Sequence, residues 1–237
     1  MKKSLFCLAS MLALNLTSAK ADILADWTFQ SALSTNNIIG AGLTTNGTQS
    51  GVQADIGTGT ASASHATAGS VWSIPAGNGS TNSWSVNNWS VGDYFQFQVS
   101  TLTFQNINVS FDQTGSGTGP RDFGLFYSTD GTIFTQFGAN YSVLANGAAP
   151  NASWNATTAN SVYSFAFDLS AITALNNSSA DYFRLVDMST TSTSGGTVGT
   201  AGTDRVDNFM VSTVPEPTTL ALTGMGLMAL VALRRKI

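Results

Sequence analysis

Apolar and polar residues alternate along much of this chain, and the alternation predicts a series of short β-strands. Residues 94–99 place Phe95 and Phe97 on one face of a strand and Gln96 and Gln98 on the other. Other segments with comparable alternation or aromatic content are 23–29, 107–111, 123–127, 133–137, 163–169, 182–188 and 206–211. About eight to ten short strands separated by polar turns are typical of an antiparallel sandwich.

Turn residues and composition also favour an all-β domain, which we place at residues 22–213. Asp130-Gly131 stands between two of the strand-like segments and is a strong hairpin signal. The domain lacks Lys and Glu, two good helix formers, and is rich in Ser, Thr, Asn and Gly. The predicted fold class is therefore all-β, with an antiparallel β-sandwich.

The first residues, 1–21, have the features of a secretory signal peptide. Two lysines precede a mainly apolar run at 5–16, and Ala19 and Ala21 form the small-x-small pattern of a cleavage site. We therefore expect export through the Sec translocon and cleavage after Ala21. Cys7 leaves with the signal, so the mature chain has no disulfide and no thiol chemistry.

The C-terminal segment, 214–237, has three parts of different character. Pro215 and Pro217 flank Glu216, and the prolines hold an extended, exposed segment because they fix φ and lack a backbone N–H. Residues 218–233 carry no charge. As a helix they would span roughly 24 Å, somewhat less than the ~30 Å hydrocarbon core of a bilayer. We predict a transmembrane helix here.

Three basic residues, Arg234, Arg235 and Lys236, follow this apolar segment. Their long side chains can extend toward the membrane surface and cover the difference in length. Clustered Arg and Lys remain on the cytoplasmic side of a membrane, so we expect these residues to end the anchor there. The domain at 22–213 would then lie outside the inner membrane.

This tail resembles a PEP-CTERM sorting signal, whose hallmark is the triplet Pro215-Glu216-Pro217. The resemblance implies a Gram-negative bacterial surface protein that is held briefly in the inner membrane and processed near the triplet by an exosortase. It also implies a setting of extracellular polysaccharide production, as in a biofilm matrix. The alternative is a plain tail anchor that contains the triplet by chance.

A second resemblance covers most of the domain. The segments 121–131 and 205–209 resemble ectodomains of other PEP-CTERM proteins and jelly-roll modules of bacterial exported proteins, some of which are attached to hydrolases. The resemblance implies a jelly roll whose first and last strands, near Trp27 and Phe209, lie close together. It implies no single activity, because one fold carries many functions.

The charge of the domain argues against nucleic-acid binding. Its charged residues are three arginines (Arg121, Arg184 and Arg205) and twelve aspartates, which gives a formal net charge of −9. Such a surface repels phosphate groups, so DNA and RNA are not expected partners. A polar but sparsely charged surface suits an extracellular matrix.

Few residues offer catalytic or metal chemistry. The one histidine, His65, lies in a polar stretch without a Gly-x-Ser-x-Gly motif, so we expect a solvated loop or edge-strand residue and no catalytic role. Calcium takes oxygen ligands, and Asp204, Asp207 and Asn208 are the best candidates for a structural calcium site. The alternative is that these aspartates cap turns and form cross-strand ion pairs. No other cofactor is expected.

Four tryptophans lie in polar stretches, namely Trp72, Trp84, Trp89 and Trp154. Exposed rings beside amides stack on sugars, and the Ser- and Asn-rich run at 82–89 makes Trp84 and Trp89 the candidate sugar-binding residues. The alternative is that these rings plug the loops from below. Burial of all four would remove the lectin hypothesis and leave a plain structural scaffold.

These features predict an exported, non-enzymatic protein of the cell surface or extracellular matrix. Its role would be structural or adhesive, with extracellular polysaccharide as a ligand. The alternative is a secreted hydrolase that acts on glycans. Its catalytic pair would consist of aspartates, since the domain contains no glutamate.

The sorting hypothesis makes a direct prediction. Replacing Pro215, Glu216 and Pro217 with alanine should leave the precursor uncleaved in the inner membrane, because the exosortase would lose its recognition site. Intact masses of the membrane and matrix fractions of the native host would test this, with Thr218→Ala as a control that keeps the triplet. Normal processing of the triple variant would contradict the sorting hypothesis.

Overall fold

The residues that the computed structural model describes, 21–31, 48–67, 69–147 and 151–214, contain two antiparallel β-sheets. Asp22–Val214 is one compact unit. The described strands are β1 (Ile23–Trp27), β2 (Thr48–Gln53), β3 (Ile56–Gly57), β4 (Gly59–Ser64), β5 (Trp72–Ser73), β6 (Trp84–Asn87), β7 (Tyr94–Val99), β8 (Ile107–Gly115), β9 (Asp122–Ser128), β10 (Thr135–Ser142), β11 (Ser164–Asp168), β12 (Asp181–Asp187) and β13 (Thr203–Thr213). Two 3-10 turns occupy Ser161–Tyr163 and Thr173–Leu175. The predicted all-β, antiparallel sandwich is confirmed, and its finer assignment as a jelly roll stays a prediction.

One sheet is built around β13. In the described part of the chain this sheet has seven strands in the order β11-β8-β13-β1-β3, with β6 pairing β13 and β5 pairing β6. Residues 203–206 of β13 pair with β6, whereas residues 209–212 pair with β1. The register along β8 shifts between Asp207 and Met210, and Asn208 has a φ of 49°. A bulge therefore separates the two partners of β13.

The second sheet contains the strands in which alternation was clearest. Its order is β10-β9-β12-β7-β4-β2, six strands among the described residues. Phe95, Phe97 and Val99 of β7 are buried, whereas Gln96 and Gln98 are half-buried on the opposite face. The predicted division of β7 into two faces is therefore confirmed.

Aromatic rings join the two sheets at the centre of the core. Phe97 of the six-stranded sheet stacks on Phe209 of the seven-stranded sheet, with centroids 3.5 Å apart and planes at 4°. Trp27 meets both rings edge to face, at 5.1 and 5.9 Å. Trp27 and Phe209 are also directly paired in β1 and β13. The first and last strands therefore lie side by side, as the second resemblance implied.

Local signals placed the hairpin after β9 correctly but not the strand that follows it. The Asp130 carboxylate accepts the backbone N–H groups of Thr132 and Ile133 at 2.8 Å, and Gly131 has a φ of 71°. The next strand begins at Thr135 and not at Ile133, whose side chain is 73% exposed. Two short strands, β5 and β6, lie where the sequence predicted none.

Both predicted sorting segments lie outside the described residues. These are the signal peptide through residue 20 and the tail from Pro215, including the predicted span at 218–233. Within the ranges given above, no helix has the length and apolar character needed to cross a membrane.

The ring stack makes a prediction about stability. Phe209→Ala should lower the free energy of unfolding by about 3–5 kcal/mol, because it removes a fully buried ring from between Phe97 and Trp27. Urea unfolding of the full chain in detergent, followed by tryptophan fluorescence, would measure the change. The control is Met210→Ala, the next residue on the half-buried outer face, for which about 1 kcal/mol or less is expected. Equal losses in both variants would contradict a core centred on the stack.

Candidate functional site

The predicted sugar-binding tryptophans lie in the core. Trp72 and Trp84 are fully buried, Trp154 is 4% exposed and Trp89 is 6% exposed. The expectation that Trp84 and Trp89 present open rings is therefore wrong. Stacking on a sugar needs an accessible ring face, so neither residue provides a sugar-binding platform.

Packing explains why these rings are buried. The Trp84 ring lies 5.1 Å from Trp72, 5.3 Å from Phe95 and 5.9 Å from Phe29, centroid to centroid. Trp89 packs against Phe95 at 5.2 Å and donates its Nε1–H to the Val86 carbonyl at 2.9 Å. These three surrounding rings therefore bury Trp84 and Trp89 in an aromatic cluster of the core.

His65 is buried as well, which corrects the expectation of a solvated residue. It is 3% exposed and packs against Trp89, with centroids 4.3 Å apart. Burial lowers the pKa of His65 to about 4, so the ring is neutral at pH 7. Asp93 and Ser70 both approach the same ring nitrogen, Nδ1, at 3.5 and 3.4 Å. A catalytic triad needs the acid and the nucleophile on opposite nitrogens, so this is not one.

Asp204, one of the calcium candidates, belongs to a buried hydrogen-bonded chain. Tyr141 donates its hydroxyl to Gln113 Oε1 at 2.7 Å, and Gln113 Nε2 donates to Asp204 Oδ1 at 2.8 Å. Burial raises the pKa of Asp204 well above its usual value. This carboxyl side chain therefore contributes a polar contact inside the core and does not act as a surface charge.

Asp207 occupies a different environment, at the bulge of β13. Its Oδ2 accepts the Ser80 hydroxyl at 2.7 Å and the Asn78 backbone N–H at 2.8 Å. Gly77 makes this contact fit, since a Cβ there would lie 2.2 Å from Asp207 Oδ2. Burial raises the pKa of Asp207 to about 7. The carboxyl group therefore anchors the loop before β6 to the bulge.

The side-chain amide of the third calcium candidate, Asn208, contacts neither of these aspartates, whereas its backbone N–H donates to Asp207 Oδ1 at 2.9 Å. Its Nδ2 donates to Asp112 Oδ2 at 2.8 Å. Among the residues with described positions, no group of three or more carboxylate, imidazole or thiolate side chains could hold a metal ion. A calcium site at Asp204, Asp207 and Asn208 stays a prediction without support from these contacts.

A line of side chains crosses the outer face of the six-stranded sheet. Backbone pairing connects Gln136 to Phe126, Phe126 to Arg184, Arg184 to Gln96, and Gln96 to Ser62. Paired residues point to the same face, and the line runs over β10, β9, β12, β7 and β4. We call these five residues the Arg184 row. Adjacent strands are about 4.8 Å apart, so the row is roughly 19 Å long.

Arg184 is held at the centre of the row by two rings and one amide. Its guanidinium carbon lies 3.9 Å from the centroid of Tyr94 and 3.5 Å from that of Phe134. Its Nε donates to Gln96 Oε1 at 2.7 Å, and Gln96 Nε2 donates to Ser62 Oγ at 3.2 Å. The rings and the amide therefore fix the plane of the guanidinium before any ligand arrives.

Phe126 adds an aromatic surface beside this guanidinium. Its neighbour two residues back is Gly124, where a Cβ would lie 2.9 Å from the Phe126 ring and 3.4 Å from Gln136 Nε2. The glycine therefore allows the ring to lie close to the sheet. Half-buried aromatic rings, amides and one cation share this face. This combination can stack on sugar rings and donate hydrogen bonds to hydroxyl and carboxylate groups.

A polar groove lies on the outer face of the other sheet. Its volume is about 350 Å³, and its lining residues are Asp26, Ser110, Phe111, Asp112, Ser164, Phe165, Asn208 and Met210. Burial, and then the charge of Asp55, raise the pKa of Asp26 to about 6. Asp112 accepts hydrogen bonds from Ser164 and Asn208 at 2.5 and 2.8 Å. Two carboxyl groups with different surroundings therefore share this groove.

Sequence reasoning missed the Arg184 row, although a signal for it was present. Alternation places Gln96 and Gln98 together on one face of β7, but it assigns that face no role. Phe126, Tyr182 and Arg184 hold outward positions in β9 and β12. The signal was that aromatic side chains occupy the outward-facing strand positions, where polar residues are expected.

The chain combines an all-β exported domain with a sorting signal. Residues 213–236 match the PEP-CTERM protein-sorting motif. The match confirms the resemblance drawn from the triplet, the apolar segment and the basic end. It indicates an exported, membrane-anchored precursor that an exosortase sorts to the cell surface. A search of the curated proteins gives no match.

Several solved β-rich domains are similar to this chain at low identity. The xylan-binding domain CBM22-2 of Xyn10C from Paenibacillus barcinonensis is 14% identical, with coverage of 81% of this chain and 99% of that one and a TM-score of 0.42. TmCBM27, a carbohydrate-binding module that recognises mannan, is 11% identical, with coverage of 83% and 99% and a TM-score of 0.42. The K1 cleaved adhesin domain of Lys-gingipain from Porphyromonas gingivalis is 10% identical, with coverage of 61% and 83% and a TM-score of 0.38. Likeness at this level transfers no ligand to this chain.

The buried Asp207 predicts a particular pH dependence. Its folded pKa of about 7 exceeds the ordinary value of 3.8, so the folded state holds this proton where the unfolded state has released it. Stability should therefore fall as the pH rises from about 4 to about 7, by about 3–4 kcal/mol from this group. Urea unfolding of the full chain at several pH values from 4.5 to 7.5, in about equal steps, would measure the slope.

Two variants separate the contribution of Asp207 from the rest. Asp207→Asn should reduce the slope, though not remove it, because Asp26 and Asp187 also have pKa values of about 6. Asp130→Asn is the control, since hydrogen bonds lower the pKa of Asp130 and move its effect to more acidic pH. An unchanged slope in Asp207→Asn would contradict the assignment.

Proposed function

We propose that this chain is an exosortase substrate of the cell surface or extracellular matrix, with a non-enzymatic, jelly-roll ectodomain that binds polysaccharide. After export through the Sec translocon and transient anchoring in the inner membrane of a Gram-negative cell, the processed protein acts as a structural or adhesive component. The Arg184 row is the binding surface. This surface replaces Trp84 and Trp89, whose burial excludes them from that role.

The observation that carries this proposal is the composition of the Arg184 row. Phe126 supplies an apolar ring, Gln96 and Gln136 supply amides, and Arg184 supplies a fixed donor. A sugar ring has an apolar C–H face and hydroxyl groups around its edge. The Phe126 ring complements the apolar face, and the amides and Arg184 complement the hydroxyl groups. A row of roughly 19 Å across five strands is also long enough to contact several sugar units of one polymer.

The pattern of buried groups supports a binding role over a catalytic one. His65 has a pKa of about 4 and lies under Trp89, where it reaches no substrate. Asp204 and Asp207 are fully buried and hold structural contacts. The ionisable groups with the most unusual surroundings therefore serve the fold.

A hydrolase remains the second candidate because of the groove that contains Asp26 and Asp112. Asp26 lies opposite Met210, which lies opposite Ser110, two residues before Asp112. The two aspartate Cα atoms are therefore roughly 12 Å apart. Their side chains line the same groove, as the acid and the base of a glycosidase would. Asp26, with a pKa of about 6, would be the acid and Asp112 the base.

A binding experiment with the full chain in detergent would test the main proposal. Polysaccharide extracted from the matrix of the native host would be immobilised, and binding of the wild type and of Phe126→Ala would be compared. The variant should bind at least about fivefold more weakly, which corresponds to about 1 kcal/mol of lost ring contact. Leu102→Ala is the control, since it removes a half-exposed apolar side chain that lies after the end of β7 and is not part of the row.

The same samples distinguish binding from hydrolysis. Release of new reducing ends by the wild type, abolished in Asp26→Asn and Asp112→Asn, would establish the hydrolase instead. Stable binding without new reducing ends, weakened only in Phe126→Ala, supports the binding protein. Full binding by Phe126→Ala would overturn the role of the Arg184 row.

A further inference from the structure

The three arginines of the domain have different surroundings. Arg121 donates from Nε and Nη2 to the two carboxylate oxygens of Asp122, each at 2.9 Å. Arg205 is half-buried, and burial lowers its pKa against the opposing effect of the neighbouring Asp204. Arg184 has no carboxylate partner among the described residues and shares its Nε proton with a neutral amide, Gln96. It is therefore the cation available to an external anion.

The geometry around Arg184 prepares it for a planar anion. Tyr94 and Phe134 approach the guanidinium within 3.9 and 3.5 Å. Gln96 occupies Nε, while the terminal nitrogens have no acceptor in the part of the chain that the structure describes. Two N–H groups in one plane match the two oxygens of a carboxylate. The rings also displace water, which strengthens such a contact.

We propose that the polysaccharide bound by the Arg184 row is a polyuronate, and that Arg184 receives one uronate carboxylate. This inference rests on the proposed polysaccharide-binding function and assigns its ligand class. Phe126 and the amides on either side of Arg184 contact the sugar rings and hydroxyl groups. The carboxylate of one sugar unit accepts hydrogen bonds from the terminal N–H groups of the guanidinium.

The charge of the whole domain favours a uronate over a sulfated polymer. The domain carries a formal net charge of −9, so it repels any polyanion at long range, and more strongly as the charge density of the polymer rises. None of the five residues of the Arg184 row is acidic, so the row itself adds no repulsion. A polyuronate that spans the row carries several carboxylates, of which Arg184 pairs one, while the others lie over uncharged side chains of the row.

Matched pairs of polymers would test this ligand class. The full chain in detergent would be titrated with polygalacturonate and with alginate, and then with the methyl ester of each, which keeps the sugar backbone and removes the charge. Binding to at least one free acid should exceed binding to its ester by about tenfold or more, because a charge-assisted contact is lost in the ester.

Variants of Arg184 connect the preference to this residue. Arg184→Gln should bind the acid and the ester with equal affinity, because the charge that distinguishes them is lost, and urea unfolding would show that the variant is folded. Arg184→Lys should show a smaller preference than the wild type, because an ammonium lacks the planar fork. Arg121→Gln is the control, since it removes an arginine that already has a carboxylate partner, and it should keep the full preference.

The outcomes separate this inference from the function on which it rests. Equal binding to acid and ester, weakened by Phe126→Ala, would keep the polysaccharide-binding function and overturn the uronate assignment. Binding to dextran sulfate but not to the polyuronates would also overturn it. Failure to bind both polyuronates and the matrix polysaccharide would remove the binding function itself.

Discussion

The stack of Phe97 on Phe209 is the contact on which the two-sheet architecture depends. Residues 22–213 contain no cysteine, so no disulfide can join the sheets. The stack lies between strands of different sheets, and Trp27 and Phe111 extend it within the seven-stranded sheet. An exported chain of this kind must gain its stability from packing, which explains why every tryptophan of the domain is drawn into the core.

Buried aspartates add specificity to this apolar core at a cost in free energy. Asp207 holds the loop before β6 at the point where β13 exchanges β6 for β1 as its neighbour. An apolar residue could fill the same space but could not accept the Asn78 N–H and the Ser80 hydroxyl. The carboxyl group therefore fixes the position of this loop at the bulge, as a buried polar group can do when its bonds are satisfied.

Alternation predicted the strands well because burial on one face imposes a period of two on the sequence. Alternation failed for Trp84, whose neighbours Ser83 and Ser85 suggested a solvent-exposed loop. Both serines are buried, and their hydroxyls donate to the backbone carbonyls of Pro75 and Asp204. Polar residues whose partners are distant in sequence look like surface residues, because a linear pattern contains no information about those partners. The Arg184 row was missed for the same reason, since its residues come from five strands.

The pleat of a strand links the stability of this domain to its proposed function. In β7 and β12, the residues that build the core, such as Phe95 and Leu185, alternate with residues of the binding face, such as Gln96 and Arg184. The register that buries the first set also aligns the second across the sheet. A one-residue slip would destroy both together, so the packing of the rings positions the guanidinium. An outer face organised in this way, with only Phe134 added from the loop before β10, suits a ligand that is long and repetitive.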